Sequence, residues 1–315
     1  MELLAAARQE LVDQAIEARE ANSIWYFTRT MCQIILPPSA YPESAYVGNS
    51  GSFHMVVQTL PPLHVPWGIY PRGILTWLTT EIKLRRNATS KSRVIELGTS
   101  LAEFMQQVSG SKTYSGGKTG NVRPFKRQLT SLFSSRIAFW IGEGRELDIM
   151  KDSGLTMQIG ESWNLMWHPR SAEQPGLVQS TVEIGEKFWE DCVKHGVAID
   201  IRIVRAIWPN CLAFDIYVWL TYRAYTLGNQ GRVSLDLSWI ALKMQFGGTY
   251  KTLKGFRYKF LEALGKVAML YTDFAFTERE GKGMTFTFKR PSIRRVSFPE
   301  SFPGFHSLPQ ASTHK

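Results

Sequence analysis

The sequence has few of the residues that build disulfide-rich or metal-binding proteins. Its 315 residues include only three cysteines, widely spaced at Cys32, Cys192 and Cys211, with no Cys-x-x-Cys pair. This spacing argues against a disulfide framework and against a zinc ribbon. It favours a reducing compartment, and we expect the cytoplasm. The six histidines show no ligand spacing, so we predict no metal site and no cofactor.

Long apolar runs and catalytic motifs are also missing from the sequence. No run reaches the roughly 18 residues that a membrane span needs, and the longest, 212–220, is interrupted by Asp215. No Gly-x-Ser-x-Gly, His-Glu-x-x-His or paired-carboxylate pattern occurs. The stretch 116–119 (GGKT) resembles the end of a phosphate-binding loop, but Lys112 stands where that loop needs glycine. We therefore predict a protein that is not an enzyme and does not contact a membrane.

Acidic residues are scarce relative to basic ones. The formal net charge is +10, the sequence pI is about 9.5, and no acid occurs from Ser109 through Trp140. Positive charge of this size suits a polyanionic partner without identifying it. The length predicts about two domains, and a chain that is 44% hydrophobic can bury a core in each.

One pattern occurs twice in the chain. Ser92–Gly110 and Gly231–Gly248 each contain Arg-Val entering a short strand, then an amphipathic helix, then glycine. A helix with Trp-Leu-Thr precedes each copy, and a basic helix follows it. In the first copy Ser100, with Glu103 three residues later, is predicted to cap the helix. A tight turn between a supporting helix and a basic helix is typical of a helix-turn-helix, here in tandem.

These patterns predict an α+β chain with two tandem winged-helix domains, predominantly helical with small β-hairpin wings. The predicted wings pair strands at 137–141 and 156–159, and at 270–276 and 284–288. The polar segment Pro169–Gly176 is the predicted linker. The predicted divisions are 1–65 (a helix at 2–21, then an irregular or strand segment, either separate from the first domain or part of it), 66–168 (first domain), 177–298 (second domain) and 299–315 (disordered tail).

The two basic helices, predicted at about 122–137 and about 250–268, place apolar and cationic residues on opposite faces. Arginine can chelate guanine, so we expect the first helix to read bases and the second to bind phosphates. A solvated surface helix is the alternative, but between Lys251 and Lys266 five cations accompany one acid. The second hairpin tip is expected to bind flanking backbone or a minor groove, unless it is an ordinary solvated turn. The predicted DNA-binding residues are Arg123, Lys126, Arg127, Thr130, Ser134, Lys251, Lys254, Arg257, Tyr258, Lys259, Arg279 and Lys282.

Several of these segments resemble the plasmid-encoded RepA replication initiators. The resemblance is dense from about 66 to 141, with Tyr70-Pro-Arg-Gly73, Trp77-Leu-Thr-Thr-Glu81 and Val94-Ile-Glu-Leu-Gly98 as its clearest parts, and looser through the second basic helix. It implies a theta-type, non-enzymatic initiator made of winged-helix domains. Such proteins bind repeated origin sites, help to open the duplex, and recruit the host initiator and the replicative helicase.

Two other functions stay open at this point. A tandem winged-helix transcriptional repressor fits the predicted fold equally well, and a DNA-nicking replication enzyme is the third candidate. The expected partner in the first two cases is double-stranded DNA. The sequence leaves open whether a monomer or a homodimer binds it.

Overall fold

The computed structural model describes residues 23–33, 35–50, 53–85, 92–115, 120–141, 153–168, 171–289, 291 and 293. The predicted N-terminal helix at 2–21 and the predicted disordered tail at 299–315 lie outside these residues, as does the stretch 116–119. Within them, helices mix with antiparallel strands, so the α+β class is confirmed.

The described residues form nine helices and twelve strands. The helices are α1 (Arg29–Gln33), α2 (Ile69–Arg85), α3 (Leu101–Ser109), α4 (Val122–Phe133), α5 (Glu186–His195), α6 (Ile201–Ile207), α7 (Cys211–Asn229), α8 (Trp239–Phe246) and α9 (Leu253–Ala268). The strands are β1 (Ile24–Phe27), β2 (Ala45–Ser50), β3 (Phe53–Gln58), β4 (Val94–Gly98), β5 (Arg136–Ile141), β6 (Ser153–Gln158), β7 (Gly160–Asn164), β8 (Ser180–Ile184), β9 (Val197–Asp200), β10 (Ser234–Ser238), β11 (Phe274–Arg279) and β12 (Gly283–Phe288).

The internal repeat appears as two three-stranded sheets of equivalent order, β4-β8-β7 and β10-β12-β11. In each repeat, a long helix is followed by the first strand, then by a short helix, and then by a basic helix. Two more strands come after the basic helix, and the second of these pairs with the first strand of the repeat. We call α2, β4, α3, α4, β7 and β8 the first unit, and α7, β10, α8, α9, β11 and β12 the second unit.

A serine begins the short helix of each unit. The Ser100 hydroxyl accepts a hydrogen bond from the Glu103 amide at 3.3 Å, as the sequence predicts. The Ser238 hydroxyl accepts one from the Ala241 amide at 3.1 Å. Each bond satisfies an amide that the first helical turn leaves free. The same local chemistry therefore positions α3 and α8.

The predicted wing of the first unit is corrected by the strand pairing. Strands β5 and β6 do pair, in antiparallel register, but β5 also pairs with β3 in a separate sheet of order β2-β3-β5-β6. The strand that pairs with β4 is β8. The cause is packing, because Met55, Val57, Ile137 and Phe139 are buried on one face of the four-stranded sheet.

The predicted linker also has a different place. Residues 171–176 belong to the connection between β7 and β8, two neighbouring strands of one sheet. The Ala172 carbonyl accepts hydrogen bonds from the Ala102 amide and the Ser100 hydroxyl, and the Gly176 amide donates to the Thr99 carbonyl. The segment is polar because it is a surface loop, and the strand pairing of the first unit continues past it.

The turn between the supporting helix and the basic helix is tight in neither unit. Residues 110–121 separate α3 from α4, and residues 247–252 separate α8 from α9. Gly110 ends α3 at a φ of 72°, a left-handed conformation that glycine adopts without strain. The first connection is twice as long as the second, and the expectation of a tight turn is wrong in both units.

The two units share one hydrophobic core and a buried ion pair. The Arg72 guanidinium in α2 donates from Nε and Nη2 to the two carboxylate oxygens of Asp215 in α7, both at 2.7 Å. Strand β1 pairs with β9 and packs on α2, while β9 packs on α7. The positions of the two units are thus fixed by side-chain and strand contacts across the whole chain.

The two serine caps make a direct stability prediction. Replacing Ser100 or Ser238 with Ala should each lower the free energy of unfolding by about 1 kcal/mol, because each change leaves a helix amide unpaired. Chemical denaturation followed by circular dichroism measures the effect. Ser234→Ala is the matched control, since Ser234 is exposed and caps no helix. Equal stability of all three variants and the wild type would contradict the capping role.

Candidate nucleic-acid interface

Helix α4 is held in place by its apolar face. Phe125, Leu129 and Leu132 are completely buried, and the Phe125 ring meets the Tyr70 ring of α2 edge-on at 5.4 Å. The Gln128 side chain accepts a hydrogen bond from the Trp67 amide at 2.8 Å. These contacts fix the rotation of α4 about its axis and therefore decide which side chains face solvent.

The outward face of α4 contains the residues that the sequence predicts. Arg123 and Arg127 are exposed, and Lys126 is half-buried beside them. None of these three cations has an ion-pair partner within the described residues. The hydroxyls of Thr130 and Ser134 donate to carbonyls of their own helix, both at 3.1 Å. Their lone pairs remain available, but their protons are in use, so the cations are the main free groups of this face.

The connection that precedes α4 is closed by one side chain. The Asn121 carboxamide accepts from the Ser115 amide at 2.8 Å and donates to the Thr113 carbonyl at 2.9 Å. It makes no hydrogen bond that caps α4 itself. The start of α4 is thereby fixed beside a loop that contains no acidic residue.

Helix α9 is held by an aromatic cluster. Phe256 and Phe260 are fully buried and contact the Trp239 ring of α8 at 6.5 and 5.9 Å. The Thr252 hydroxyl caps the helix by accepting from the Gly255 amide at 3.1 Å. Leu253, which the helical pattern predicts on the apolar face, is 41% exposed because it lies in the first turn, beyond the cluster.

The cations of α9 differ from those of α4 because most of them are paired. Lys259 and Lys266 both bind Glu262, at 2.9 and 3.1 Å. Those hydrogen bonds hold the pKa of Glu262 below its usual value, and the bond to Glu262 raises the pKa of Lys259. Arg257 binds Glu278 of β11 at 2.5 Å and lies over the Trp239 ring. About half of the predicted cationic face is therefore neutralised within the protein.

The free charge of α9 lies at its N-terminal end. Lys251 and Lys254 are exposed, without an ion pair among the described residues. Tyr258, one turn after Lys254, is 68% exposed. The exposed, unpaired cations of this part of the second unit are therefore concentrated at the N-terminal end of α9 and in the two residues before it.

The hairpin of the second unit has a three-residue connection, 280–282, between β11 and β12. The Lys282 amide donates to the Arg279 carbonyl at 2.7 Å, and the Lys282 carbonyl accepts from the Trp239 amide at 3.2 Å. These bonds hold the turn against the start of α8. The Arg279 side chain lies 3.6 Å from Asp236, whereas the exposed Lys282 has no ion pair within the described part of the chain. Of the two predicted tip cations, only Lys282 is free.

The sequence prediction counted one acid among the cations of the second basic helix, but it did not include the ion pairs that neutralise α9 and the hairpin. The spacing Lys259-x-x-Glu262-x-x-x-Lys266 could have revealed the first group, since residues three and four apart meet on a helix. The partners Glu278 and Asp236 belong to other elements, so no local pattern indicates them.

Two further findings concern metals and membranes. Searched over the described residues, the structure contains no group of three or more His, Cys, Asp or Glu side chains that could hold a metal ion. No helix in that part of the chain is both long enough and apolar enough to cross a membrane.

Comparison with known proteins identifies the family. The model of the family described as plasmid encoded RepA protein matches residues 65–240, which is more than half of the chain. The chain belongs to this family. The resemblance seen in the sequence is thereby confirmed. The match of this RepA-family chain includes all of α4 and ends at the start of α8, before the second basic helix.

Two solved structures have a similar fold. One, described as selenomethionine derivatives of domain 2 and domain 3 of RctB, is 11% identical and has a TM-score of 0.50, over 84% of this chain and 99% of that chain. A second, of RctB domains 2–3, is also 11% identical, with a TM-score of 0.49 over 83% and 96% of the two chains. At this identity the likeness concerns the fold alone. A search of curated proteins found no match to this RepA-family chain.

The two basic helices should respond differently to loss of one cation. Arg127→Ala should cost about 1–3 kcal/mol on the specific duplex and relax specificity, because it removes a base contact. Lys254→Ala should weaken all duplexes alike and make the salt dependence shallower by about one unit. Titrations of specific and scrambled duplexes at several salt concentrations measure both. Equal losses on the two duplexes for Arg127→Ala would contradict base reading by α4.

Each of these variants has a matched control. Lys266→Ala changes the same residue type on α9 but removes a cation already neutralised by Glu262. Arg136→Ala removes an exposed arginine that lies outside α4, on β5 of the four-stranded sheet. Both controls should retain wild-type affinity and wild-type salt dependence.

The hairpin tip provides a second test. Replacing both Arg279 and Lys282 with Ser should reduce affinity with little change in melting temperature, and Lys282→Ser alone should account for most of the loss, because Arg279 is paired with Asp236. Duplex titration and thermal unfolding of the three variants separate these effects. Lys187→Ser, an exposed lysine on α5, is the control. Wild-type affinity of the double variant would mean that the tip is an ordinary solvated turn that does not contact DNA.

Proposed function

We propose that this RepA-family protein initiates plasmid replication by binding repeated double-stranded DNA sites at the origin with sequence specificity. The observation that carries the proposal is the pair of helices α4 and α9. Each is fixed on its own unit by a buried apolar face and presents unpaired cations to solvent. Unpaired surface cations bind phosphates by releasing counterions. The protein would act by binding and recruitment, without enzymatic chemistry.

We infer that both units are winged-helix domains, with α4 and α9 as their recognition helices. The equivalent sheet orders and the two serine caps support this assignment. With β7 and β8 as the hairpin of the first unit, the first domain extends to Ile184 and the second begins in α7. These limits replace the division at 169–176 by one that keeps each sheet intact.

We propose that α4 reads bases and that α9 binds phosphates. The guanidiniums of Arg123 and Arg127 suit base reading, since they are unpaired and arginine can bind guanine through two hydrogen bonds. Lys251 and Lys254 suit phosphate binding as point charges. Arg257, Lys259 and Arg279 are the weakest of the twelve proposed contacts, because binding DNA would require each to leave an acid.

The family membership motivates the proposed partners. We infer that the protein acts in the bacterial cytoplasm, recruits the host initiator and the replicative helicase, and binds either as a monomer or as a homodimer. A tandem winged-helix repressor would show the same units. Short direct repeats beside the gene favour the initiator, whereas a lone inverted repeat favours the repressor. A nicking enzyme would instead convert supercoiled origin plasmid to open circles in the presence of a divalent metal.

Two DNA-binding helices on one chain predict a dependence on helical phase. Two linked modules bind far more tightly than one if both engage together, and major-groove faces recur about every 10–10.5 base pairs. We expect one chain to protect two adjacent major-groove segments on one side of the duplex. Inserting five base pairs between them should reduce affinity steeply, and inserting ten should restore part of it. Footprinting and titration of the three duplexes measure this.

The shared core supports a fixed spacing between the units. Duplexes that contain only one of the two segments are the control, because their affinity should not depend on inserted length. Equal affinity for the five and ten base-pair insertions would mean that the units bind independently.

A further inference from the structure

We propose that Arg72 and Asp215 are positioning residues that set the angle and distance between the two recognition helices. The inference rests on the proposed function, because it concerns how two DNA-binding helices on one chain engage a single site. According to this inference, a buried contact that lies away from the proposed DNA-binding residues helps to determine which DNA sites the protein binds.

The geometry of the pair is directional. Arg72 and Asp215 form two parallel hydrogen bonds of 2.7 Å, and their side chains are only 2% and 5% exposed. The remaining guanidinium protons go to the carbonyls of Gly68 and Leu36, both at 2.6 Å, and of Pro37 at 3.4 Å. All three donor nitrogens of Arg72 are therefore bonded, and a planar fork of this kind has one favourable orientation.

Burial opposes the charge of both members of the pair, and each partner offsets part of that effect on the other. Burial acts to lower the pKa of Arg72, but the negative charge of Asp215 and the hydrogen bonds to it raise that pKa above the ordinary value. Burial raises the pKa of Asp215 above its ordinary value, while the positive charge of Arg72 and the hydrogen bonds from it act to lower that pKa. The two hydrogen bonds between the side chains therefore reduce the cost that burial imposes on each charge.

Stability alone does not account for a contact of this kind. Withdrawing two charges from water costs about as much as their attraction returns, and apolar side chains of similar volume are often equally stabilising at such sites. Apolar packing, however, permits sliding and rotation that a bidentate pair forbids. The specific gain from Arg72 and Asp215 is one defined angle between α2 and α7.

Each partner of the pair belongs to a helix that contacts a recognition helix. In the first unit, Tyr70 of α2 lies two residues before Arg72 and contacts Phe125 of α4. In the second, Trp219 of α7, four residues after Asp215, meets the Phe246 ring at 5.5 Å, which in turn lies 5.6 Å from Phe260 of α9. A change of angle at the pair is thus transmitted to both recognition helices through packed rings.

The neighbouring packing leaves little room for another arrangement. A Cβ added at Gly73 would lie 2.8 Å from the Trp208 ring and 2.8 Å from Val108. Trp208 follows α6, directly before the second unit, whereas Val108 belongs to α3. Close contact at Gly73 sets the distance at which Arg72 meets Asp215, and the ion pair sets the angle.

The test compares the wild type with Arg72→Met/Asp215→Leu, which replaces the pair by apolar side chains. We expect the double variant to fold and to bind each single-segment duplex within about twofold of the wild type. On the two-segment site it should bind at least about tenfold more weakly, since avidity is lost when both modules cannot engage together. Its affinities for the five and ten base-pair insertions should become nearly equal.

A second variant keeps the test decisive if the double variant does not fold. Arg72→Lys retains the charge but lacks the bidentate fork, and it should show the same loss of phase dependence to a smaller degree. Thr79→Val is the control: it removes a buried hydroxyl on the same helix that faces Cys192 of α5 and not α7. This control should keep wild-type phase dependence.

The outcomes separate this inference from the proposed function. Wild-type phase dependence in both the double variant and Arg72→Lys would overturn the positioning role while leaving the DNA-binding proposal intact. A wild type that binds no duplex, or binds both insertions equally, would overturn the proposed function itself, whatever the variants do.

Discussion

The described structure depends on one buried contact, the ion pair between Arg72 and Asp215. Its partners are 143 residues apart in the chain, and each stands on the long helix that organises one unit. The guanidinium also binds carbonyls at Leu36, Pro37 and Gly68, so the connection between α1 and β2 and the long helices of both repeats meet at one side chain. A lysine could supply the charge there but not the five directed donors. The two repeats are consequently parts of one body, although each has its own sheet.

Charge is distributed unequally between the repeats. On α4 the cations face solvent without acidic neighbours, whereas on α9 Glu262 and Glu278 bind three of the four cations. An internal carboxylate competes with phosphate for the same cation, which lowers non-specific attraction to DNA. The first unit therefore offers the stronger field and the second the weaker one, despite similar counts of basic residues in the sequence. Net charge alone does not predict this difference, because it does not distinguish free cations from cations in ion pairs.

Local patterns predicted much of the structure, and long-range contacts account for the rest. The Ser100 cap, the helices α4 and α9, and the second hairpin follow from spacing over a few residues, and all are found close to their predicted limits. The pairing of β5 with β3 joins segments about 80 residues apart, and no periodicity in either segment specifies the partner. The connection at 171–176 looked like a linker because a solvated loop and a linker have the same composition. In the candidate site, the helical period predicted which side chains face outward. It did not predict the acidic residues of other elements that form ion pairs with them.

The pairing of β1 with β9 has a consequence for synthesis on the ribosome. Strand β1 ends at Phe27 and its partner begins at Val197, so 170 residues must be added before the first strand can pair. At bacterial elongation rates of about 5–20 residues per second, that interval is roughly 10 to 35 s. During it the nascent chain presents an unpaired strand with exposed amides and carbonyls, the kind of edge that recruits other chains. Correct folding of this protein therefore requires β1 to remain unpaired until the ribosome has synthesised β9.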